Sequence, residues 1–160
     1  MTDELTRLPN RRSYEEDLTE CNIHGPGPDL VLLCADVNGL KTVNDTIGHV
    51  AGDELIMGAA NCLLLAIGNR GTVYRTGGDE FMAILRTDDP GAVCRDIEKR
   101  SGEWRGQYSS EMSISVGCAA RADHEDLDIH ELEKKADEEM YLSKARYYRE
   151  KGIDRRRTPR

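Results

Sequence analysis

The residues best suited to chemistry are acids that stand at the ends of apolar segments. Asp36 lies near the end of the apolar run at 30–37, and Asp79 and Glu80 follow a Gly-Gly pair between two further apolar segments. Two carboxylates and a backbone carbonyl form a hard oxygen site that suits Mg²⁺ with bound phosphates. If the run at 30–37 neighbours the segment around the turn, Asp36 and Asp79 converge at one edge of a sheet. Such an arrangement would serve metal-dependent phosphoryl transfer.

Each acid also has a structural explanation, which the residues by themselves leave open. Asp36 could cap the helix that follows it, and a buried carboxylate needs a partner or a cation in any case. Gly77 and Gly78 permit positive φ and favour a tight two-residue turn whose acids are merely solvated. A calcium loop is excluded, because Leu40 and Ile47 occupy its fifth and twelfth positions, where oxygen ligands are needed.

A second polar pair, Asn44 and Asp53, lies in the segment VNDTIGHVAGDE. An amide and a carboxylate can together read the edge of guanine, since the carboxylate accepts from the N1–H and the 2-amino group. Asn44 could instead serve a turn or a helix cap. Asp53 could simply be a first-turn acid that the helix dipole favours.

The composition limits the class of protein. The chain has 160 residues, enough for one domain with a core, and 38% of them are hydrophobic and 32% charged. The net charge of −8 argues against a general nucleic-acid-binding surface. No apolar run approaches the ~20 residues that span a bilayer, and the start lacks the features of a signal peptide. We therefore expect a cytoplasmic domain, although a longer protein that contains it could be membrane-anchored.

The cysteines are odd in number and form no C-x-x-C pair. They are Cys21, Cys34, Cys62, Cys94 and Cys118. Most stand in apolar runs, which favours small core side chains in a reducing compartment. The four histidines do not group with them, so the spacing does not predict a zinc site.

The elements that must position the acids alternate along the chain. Helices are predicted at 10–22, 39–45, 48–68, 88–100 and 128–152, and strands at 30–37, in the hairpin 72–86 and at 111–121. Residues 24–29 form a predicted loop, and the basic tail 152–160 is predicted to fray. This order predicts a single domain of the α+β class, with a mixed, mainly antiparallel sheet and helices on both faces.

Five motifs together resemble the GGDEF domain, the catalytic domain of diguanylate cyclases. They are DELTRLPNRR at 3–12, DVNGLKTVNDTIGHVAGDEL at 36–55, GGDEF at 77–81, SISVGCA at 113–119 and ADEEMYLSK at 136–144. The motifs follow the order of that family and cover nearly the whole chain.

The resemblance implies a five-stranded sheet related to the palm of nucleotidyl cyclases and polymerases. It also implies that two GTP condense to cyclic di-GMP and two pyrophosphates, with Mg²⁺ or Mn²⁺, in a homodimer of the domain. The isolated domain would be mainly monomeric, and the full-length protein would carry an N-terminal sensory or dimerisation module. The alternative is a GTP-binding regulatory module with weak or no activity.

The resemblance also assigns roles to individual residues. Asp36, Asp79 and the carbonyl of Val37 match the metal ligands. Glu80 matches the second signature acid, which would assist the metal or the 3′-hydroxyl, and the general base stays unassigned among the acids. The matching substrate residues are Asn44 and Asp53 for guanine, Lys41 and Lys144 for the triphosphate, and Gly77 and Gly78, which would let substrate approach the turn.

Two departures from the family pattern bear on regulation and on catalysis. The arginine and aspartate of the product-inhibition element are missing from the matching positions Gly68, Asn69, Arg70 and Gly71. We therefore expect no inhibition by that route.

The second departure is Tyr148, which stands where many members have an arginine four residues after the matching lysine. Arg146 and Arg149 are close in sequence. On a helix they lie about 200° and about 140° around from Lys144, so neither is a good replacement.

Overall fold

The computed structural model describes residues 1–24 and 27–152, and the predicted tail lies outside them from residue 153 onward. The elements follow the predicted order. They are α1 (Arg11–His24), β1 (Leu30–Val37), α2 (Leu40–Thr46), α3 (His49–Ile67), β2 (Gly71–Arg75), β3 (Glu80–Arg86), α4 (Pro90–Glu103), β4 (Ile114–Ala120) and α5 (Ile129–Glu150).

The sheet has β1 at its centre. Its strand order is β2-β3-β1-β4, and every neighbouring pair is antiparallel. All eight residues of β1 are buried, as expected for a continuous apolar run that is covered on both faces. The sheet therefore holds the end of β1, with its acid, between two neighbouring strands.

The prediction of a five-stranded, mixed sheet is wrong: residues 1–24 and 27–152 form four strands, all antiparallel. Residues 105–113 form a loop, and the strand predicted from 111 begins only at Ile114. The carboxylate of Glu54 accepts the backbone N–H groups of Gln107, Tyr108 and Ser109 at 2.6, 3.0 and 3.0 Å. These donors are therefore not available to extend the sheet.

The two faces of the sheet carry separate halves of the core, as predicted for a sheet with helices on both sides. Leu33, Ala35 and Val37 pack with α3 and α4. Leu32 and Cys34 pack with α1 and α5. Because side chains alternate along a strand, Asp36 points to the face that α5 covers.

Helix α5 is positioned by its cap and by a stripe at four-residue spacing. Asp128 and Glu131 form a capping box at its start, an arrangement that stabilises a helix by about 1 kcal/mol. The buried positions Leu132, Ala136 and Met140 continue along the stripe to Lys144 and Tyr148. The helix lies directly on β4, because a Cβ at Gly117 would come 2.1 Å from the backbone nitrogen of Met140.

Helix α3 is more apolar than predicted. The helical stretch His49–Arg70 is long and apolar enough to cross a membrane, with a mean hydropathy of 1.6 in its most apolar window. However, 56% of that window is buried inside the protein. Its residues Leu55, Ala59 and Leu63 pack into the core beneath the sheet, so here α3 is a core helix.

Candidate active site

The turn between β2 and β3 is wider than predicted. Its closing bonds run from the backbone N–H groups of Thr76 and Gly77 to the carbonyl of Glu80 at 3.0 and 3.3 Å. The prediction of a tight two-residue turn with positive φ is wrong, since neither Gly77 nor Gly78 has a positive φ. The guanidinium of Arg75 instead holds the turn, donating to the carbonyls of Gly77 and Gly78 at 3.2 and 2.8 Å.

Arg75 is itself held by Asp3, from the first motif of the chain. The Arg75 Nη1 lies 3.1 Å from Asp3 Oδ2, and the same carboxylate accepts from the backbone N–H and the hydroxyl of Thr6 at 2.8 and 2.7 Å. Burial raises the pKa of Asp3, but these hydrogen bonds outweigh it and bring the pKa below the usual 3.8. The N-terminal segment thus supports the turn through one arginine.

The two glycines of the turn differ in their surroundings. A Cβ at Gly77 would lie 3.3 Å from the Cβ of Glu80, which is tight, whereas a Cβ at Gly78 would enter open space. Because Gly78 has no side chain, there is open space beside the turn. The glycine is not needed here for a backbone with positive φ.

The turn is joined to the end of β1. Strand β3 pairs with β1 so that Glu80 lies opposite Asp36. The backbone N–H of Val37 donates to the carbonyl of Asp79 at 2.9 Å. Strand β1 therefore neighbours the segment around the turn. This is the condition on which the predicted convergence of Asp36 and Asp79 depends.

Asp36 forms a buried ion pair with Lys144. Lys144 Nζ lies 2.6 Å from Asp36 Oδ2, and their side chains are only 2% and 1% exposed. Burial raises the pKa of Asp36 to about 6; the hydrogen bond from Lys144 opposes this rise, and the Asp79 carboxylate adds to it. Two acids and one cation thus meet at the end of β1.

Glu80 is held on the side of the turn that faces α1. Its carboxylate accepts from the Thr76 hydroxyl at 2.8 Å and lies 3.5 Å from Arg11 Nη2. Arg11 Nε also donates to the Thr76 carbonyl at 3.0 Å. Glu80 lines a cavity together with Arg11 and Tyr14, so it is separated from the cavity that Asp79 lines.

A cavity of about 430 Å³ lies between α2, the turn and α5. The predicted site residues that line it are Val37, Lys41, Asn44, Gly78, Asp79 and Lys144. Asp36 is fully buried behind this lining. The structure therefore brings together most of the predicted site, while Glu80, Gly77 and Asp53 lie outside the lining.

The predicted guanine readers lie on α2 and α3. Asn44 lines the cavity and packs against the backbone of α3, since a Cβ at Gly52 would come 1.8 Å from its Oδ1. Asp53 follows Gly52 and is exposed. Gly52 therefore determines where the Asn44 amide sits. It was not among the predicted site residues, although it lies within the motif at 36–55.

The two lysines of the predicted site differ in their exposure to solvent. Lys144 is buried in its ion pair, whereas Lys41 is exposed and pairs with Asp45 one helical turn away at 3.0 Å. A surface pair of this kind contributes only about 0.3–0.5 kcal/mol, so Lys41 can exchange Asp45 for another anion at little cost.

Tyr148 lines the cavity one turn beyond Lys144 and is 8% exposed. Its ring packs edge-on against Tyr147, with centroids 5.1 Å apart. Arg146 lines a different cavity, and Arg149 is exposed. Neither arginine lines the cavity that Tyr148 faces. This agrees with their predicted positions around the helix, about 200° and about 140° from Lys144.

Arg70, which stands within the positions that match the product-inhibition element, belongs to a short 3₁₀ turn after α3. Its Nη1 donates to the carbonyl of Ala66 at 3.1 Å. The guanidinium thus binds the end of α3.

The donor atoms fit a magnesium ion better than a softer metal. Within residues 1–24 and 27–152, no three His, Cys, Asp or Glu side chains cluster to form a metal cage. Mg²⁺, however, is usually bound by one or two carboxylates, with waters and substrate phosphates completing its shell. Asp36, Asp79 and the Val37 carbonyl supply that kind of set.

The family profile described as "Diguanylate cyclase, GGDEF domain" matches residues 1–149. This chain belongs to the GGDEF family. The match confirms the resemblance that the five motifs indicated. The matched range includes the GGDEF motif at 77–81.

Known proteins similar to this GGDEF domain agree with that assignment. The signaling protein YkoW of Bacillus subtilis is 35% identical over 153 residues, covering 90% of this chain and 19% of YkoW. The probable diguanylate cyclase DgcI of Escherichia coli is 35% identical over 143 residues, covering 89% of this chain and 30% of DgcI. The chain thus spans less than a third of either relative.

A solved structure shares the fold. The GGDEF domain of TpbB (YfiN) from Pseudomonas aeruginosa superposes with a TM-score of 0.78 at 29% identity, covering 91% of this chain and 90% of that one.

Proposed function

We propose that this GGDEF domain is a diguanylate cyclase, which condenses two GTP into cyclic di-GMP and two pyrophosphates. The observation that carries the proposal is the meeting of Asp36, Asp79 and Lys144 at the end of β1, beside a cavity that Val37 also lines. A purely structural domain would gain nothing from two acids held together, because mutual repulsion and burial both destabilise them.

Asp36, Asp79 and the Val37 carbonyl would hold Mg²⁺ or Mn²⁺. A bound ion would neutralise charge on the triphosphate and favour ionisation of the attacking 3′-hydroxyl. The raised pKa of Asp36 supports this role, since an acid forced into burial beside another carboxylate favours an added cation. Lys144 supplies a positive charge in the same place when no ion is bound.

The triphosphate would lie between the two lysines. Lys144 would turn from Asp36 toward a phosphate oxygen once a metal takes its place. Lys41, exposed at the other side of the cavity, would exchange Asp45 for phosphate. Both contacts would offset the phosphate charge that the net acidic surface otherwise repels.

Guanine would be read by Asn44 and Asp53. Asn44 lines the cavity and is wedged against Gly52, so its amide is held in one place. Asp53 is exposed in the first turn of α3 and would accept from N1–H and the 2-amino group.

Glu80 would assist the metal or the 3′-hydroxyl from the α1 side of the turn. Thr76 and Arg11 keep its carboxylate in position. In each step the 3′-oxygen forms a bond to the α-phosphorus of the other GTP, pyrophosphate leaves, and the hydroxyl proton passes to an acid or to water. We assign no single acid as the general base.

A second copy of the domain would be required, because each cyclic product contains two guanylates and each 3′-hydroxyl attacks the GTP bound by the partner. An N-terminal sensory or dimerisation module of a longer protein would bring two domains together in the cytoplasm. The isolated domain would be mainly monomeric and slow.

A GTP-binding regulatory module is the second candidate, and Tyr148 is the observation that favours it. A phenol lines the cavity where many members have an arginine, and Arg146 faces a different cavity. A cyclase of this sequence would therefore lack the arginine for one phosphate contact.

The test uses the domain fused to a parallel coiled coil that forces dimerisation. Diguanylate cyclase activity predicts Mg²⁺-dependent pyrophosphate release, with cyclic di-GMP identified by chromatography. GTP binding by calorimetry without product from the fused dimer would reject the cyclase and favour the regulatory module.

A further inference from the structure

Cys94 and Cys118 face each other across two packed elements. Cys94 lies on α4 and Cys118 on β4, 24 positions later, and their Sγ atoms are 2.8 Å apart. Both are free thiols, and both side chains are partly exposed. Neither residue is therefore closed off from solvent.

The core brings these two thiols together. Cys118 pairs in register with Leu33 of β1 and lies on the sheet face that α4 covers. Val93 and Ile97 of α4 are buried in the same half of the core. Cys94 is therefore held over β4 by the packing of its own helix, so the contact does not depend on a loop.

The other three cysteines have different surroundings. All five cysteines lie within the described residues. Cys34 lies on the opposite face of the sheet, where its thiol contacts the Asp137 carboxylate at 3.7 Å. Cys62 is buried in α3, and Cys21 lies on α1. The prediction of small core side chains therefore describes Cys34 and Cys62 better than the pair between α4 and β4.

We propose that Cys94 and Cys118 are a modification site, at which a peroxide oxidises the two thiols to an intramolecular disulfide. In the first step one thiol loses its proton and attacks a peroxide oxygen, the O–O bond breaks, and a sulfenic acid forms while the released hydroxide takes up that proton to give water. In the second step the sulfur of the other cysteine attacks the sulfenic sulfur, the S–O bond breaks, and the proton of the second thiol leaves with the hydroxyl as water. Two thiols and one hydrogen peroxide thus give one disulfide and two waters.

The order of the two steps depends on which thiol ionises first. The two sulfurs share one hydrogen bond, in which either atom could be the donor. Either cysteine can therefore supply the thiolate that meets the oxidant, and the other resolves the sulfenic acid.

The disulfide would tie α4 to the edge strand β4 without entering the substrate cavity, which neither cysteine lines. Closing this loop constrains the unfolded chain, and we expect the melting temperature to rise on the order of 5 °C. The proposal is independent of the proposed cyclase activity.

The experiment treats the fully reduced 160-residue domain with one equivalent of hydrogen peroxide and maps its peptides without reduction. We expect a linked Cys94–Cys118 peptide pair, two hydrogen atoms lost from the intact mass, and a rise in melting temperature that dithiothreitol reverses. Cys94→Ser should abolish the linkage and the rise, and Cys118→Ser should do the same if it folds. Cys21→Ser, which changes a partly exposed thiol elsewhere, should preserve both.

Three results would overturn the proposal. The first is separate sulfinic or sulfonic acids on the two cysteines with no linked peptide. The second is a cross-link between two chains, seen as a dimer on a non-reducing gel. The third is an equal rise in melting temperature for Cys94→Ser.

Discussion

Lys144 and Asp36 form a buried ion pair that joins α5 to the end of β1. The atoms Nζ and Oδ2 are 2.6 Å apart, although the residues are 108 positions apart in sequence. Because both side chains are almost fully buried, each charge depends on the other. The pair therefore links the stability of the domain to the proposed metal site.

Replacing Lys144 by methionine should destabilise the metal-free domain by about 3 kcal/mol, because the buried Asp36 carboxylate loses its partner or must bind a proton. Denaturant unfolding at neutral pH measures this change in the free energy of unfolding. Lys144→Met combined with Asp36→Asn should recover part of the loss, since no buried charge remains. An unchanged free energy of unfolding in the single variant would contradict the buried pair.

Asp79→Asn should abolish Mg²⁺-dependent turnover in the fused dimer while shifting the free energy of unfolding by less than about 1 kcal/mol, because Asp79 is a partly exposed turn residue. Pyrophosphate release and thermal melts provide the two readouts. Asp126→Asn, which alters an exposed acid far along the chain, should change neither. A large fall in melting temperature for Asp79→Asn would mean that Asp79 is structural.

Gly52→Ala should weaken GTP binding about tenfold, since its Cβ would come 1.8 Å from Asn44 Oδ1 and displace the amide. Calorimetry with GTP and with inosine triphosphate, which lacks the 2-amino group, should show a reduced preference for guanine. Gly102→Ala is the matched control, because a Cβ there meets no atom within 4 Å. Equal GTP affinity in both variants would exclude a positioning role for Gly52.

Asp3→Asn should lower the free energy of unfolding by about 1 kcal/mol at neutral pH, because the carboxylate accepts charge-assisted bonds from Arg75. The pKa of Asp3 is lower in the folded state than its usual 3.8. Its stabilisation is therefore present above that pH and is lost as the pH falls through the folded pKa. Unfolding measured from pH 7 downward should show wild type approaching Asp3→Asn in acid. Glu4→Gln, at an exposed neighbour, should follow wild type throughout.

Tyr148→Arg should tighten GTP binding about tenfold, since a guanidinium at this cavity-lining position would meet the triphosphate. Calorimetry measures the affinity for GTP. The control is Arg149→Lys, which changes a neighbouring residue of α5 without changing the charge of the helix. If the fused wild-type dimer makes no product but the Tyr148→Arg dimer does, then the lack of an arginine at this position explains why the wild-type domain is inactive and serves as a regulatory module. A variant with unchanged affinity would show that this position does not contact phosphate.

Much of the fold could be predicted because its signals are local. The run at 30–37 is continuously apolar, so it forms a strand buried on both faces. The Asp89-Pro90 start of α4 was likewise predictable, since a side-chain cap and a proline act within one turn: Asp89 accepts from the N–H of Ala92. Such features depend on neighbours in sequence.

The errors arose where distant residues compete with local preferences. Gly77 and Gly78 permit a tight turn, but Arg75 binds their carbonyls in a wider loop, and Asp3 holds Arg75 in place from 72 positions away. The expected fifth strand is missing from the described residues, where Glu54 accepts three backbone N–H groups of the loop at 105–113 from 53 to 55 positions away.

The amino-acid sequence alone determined the family, the element order and the acids of the signature turn, because these are read from residue type and spacing. The tertiary structure decided which side chains meet. Only the packing of α5 on the sheet sets Lys144 against Asp36, and only that of α4 on β4 sets Cys94 against Cys118. Contacts of this kind depend on how whole elements bury their apolar faces, which no local pattern encodes.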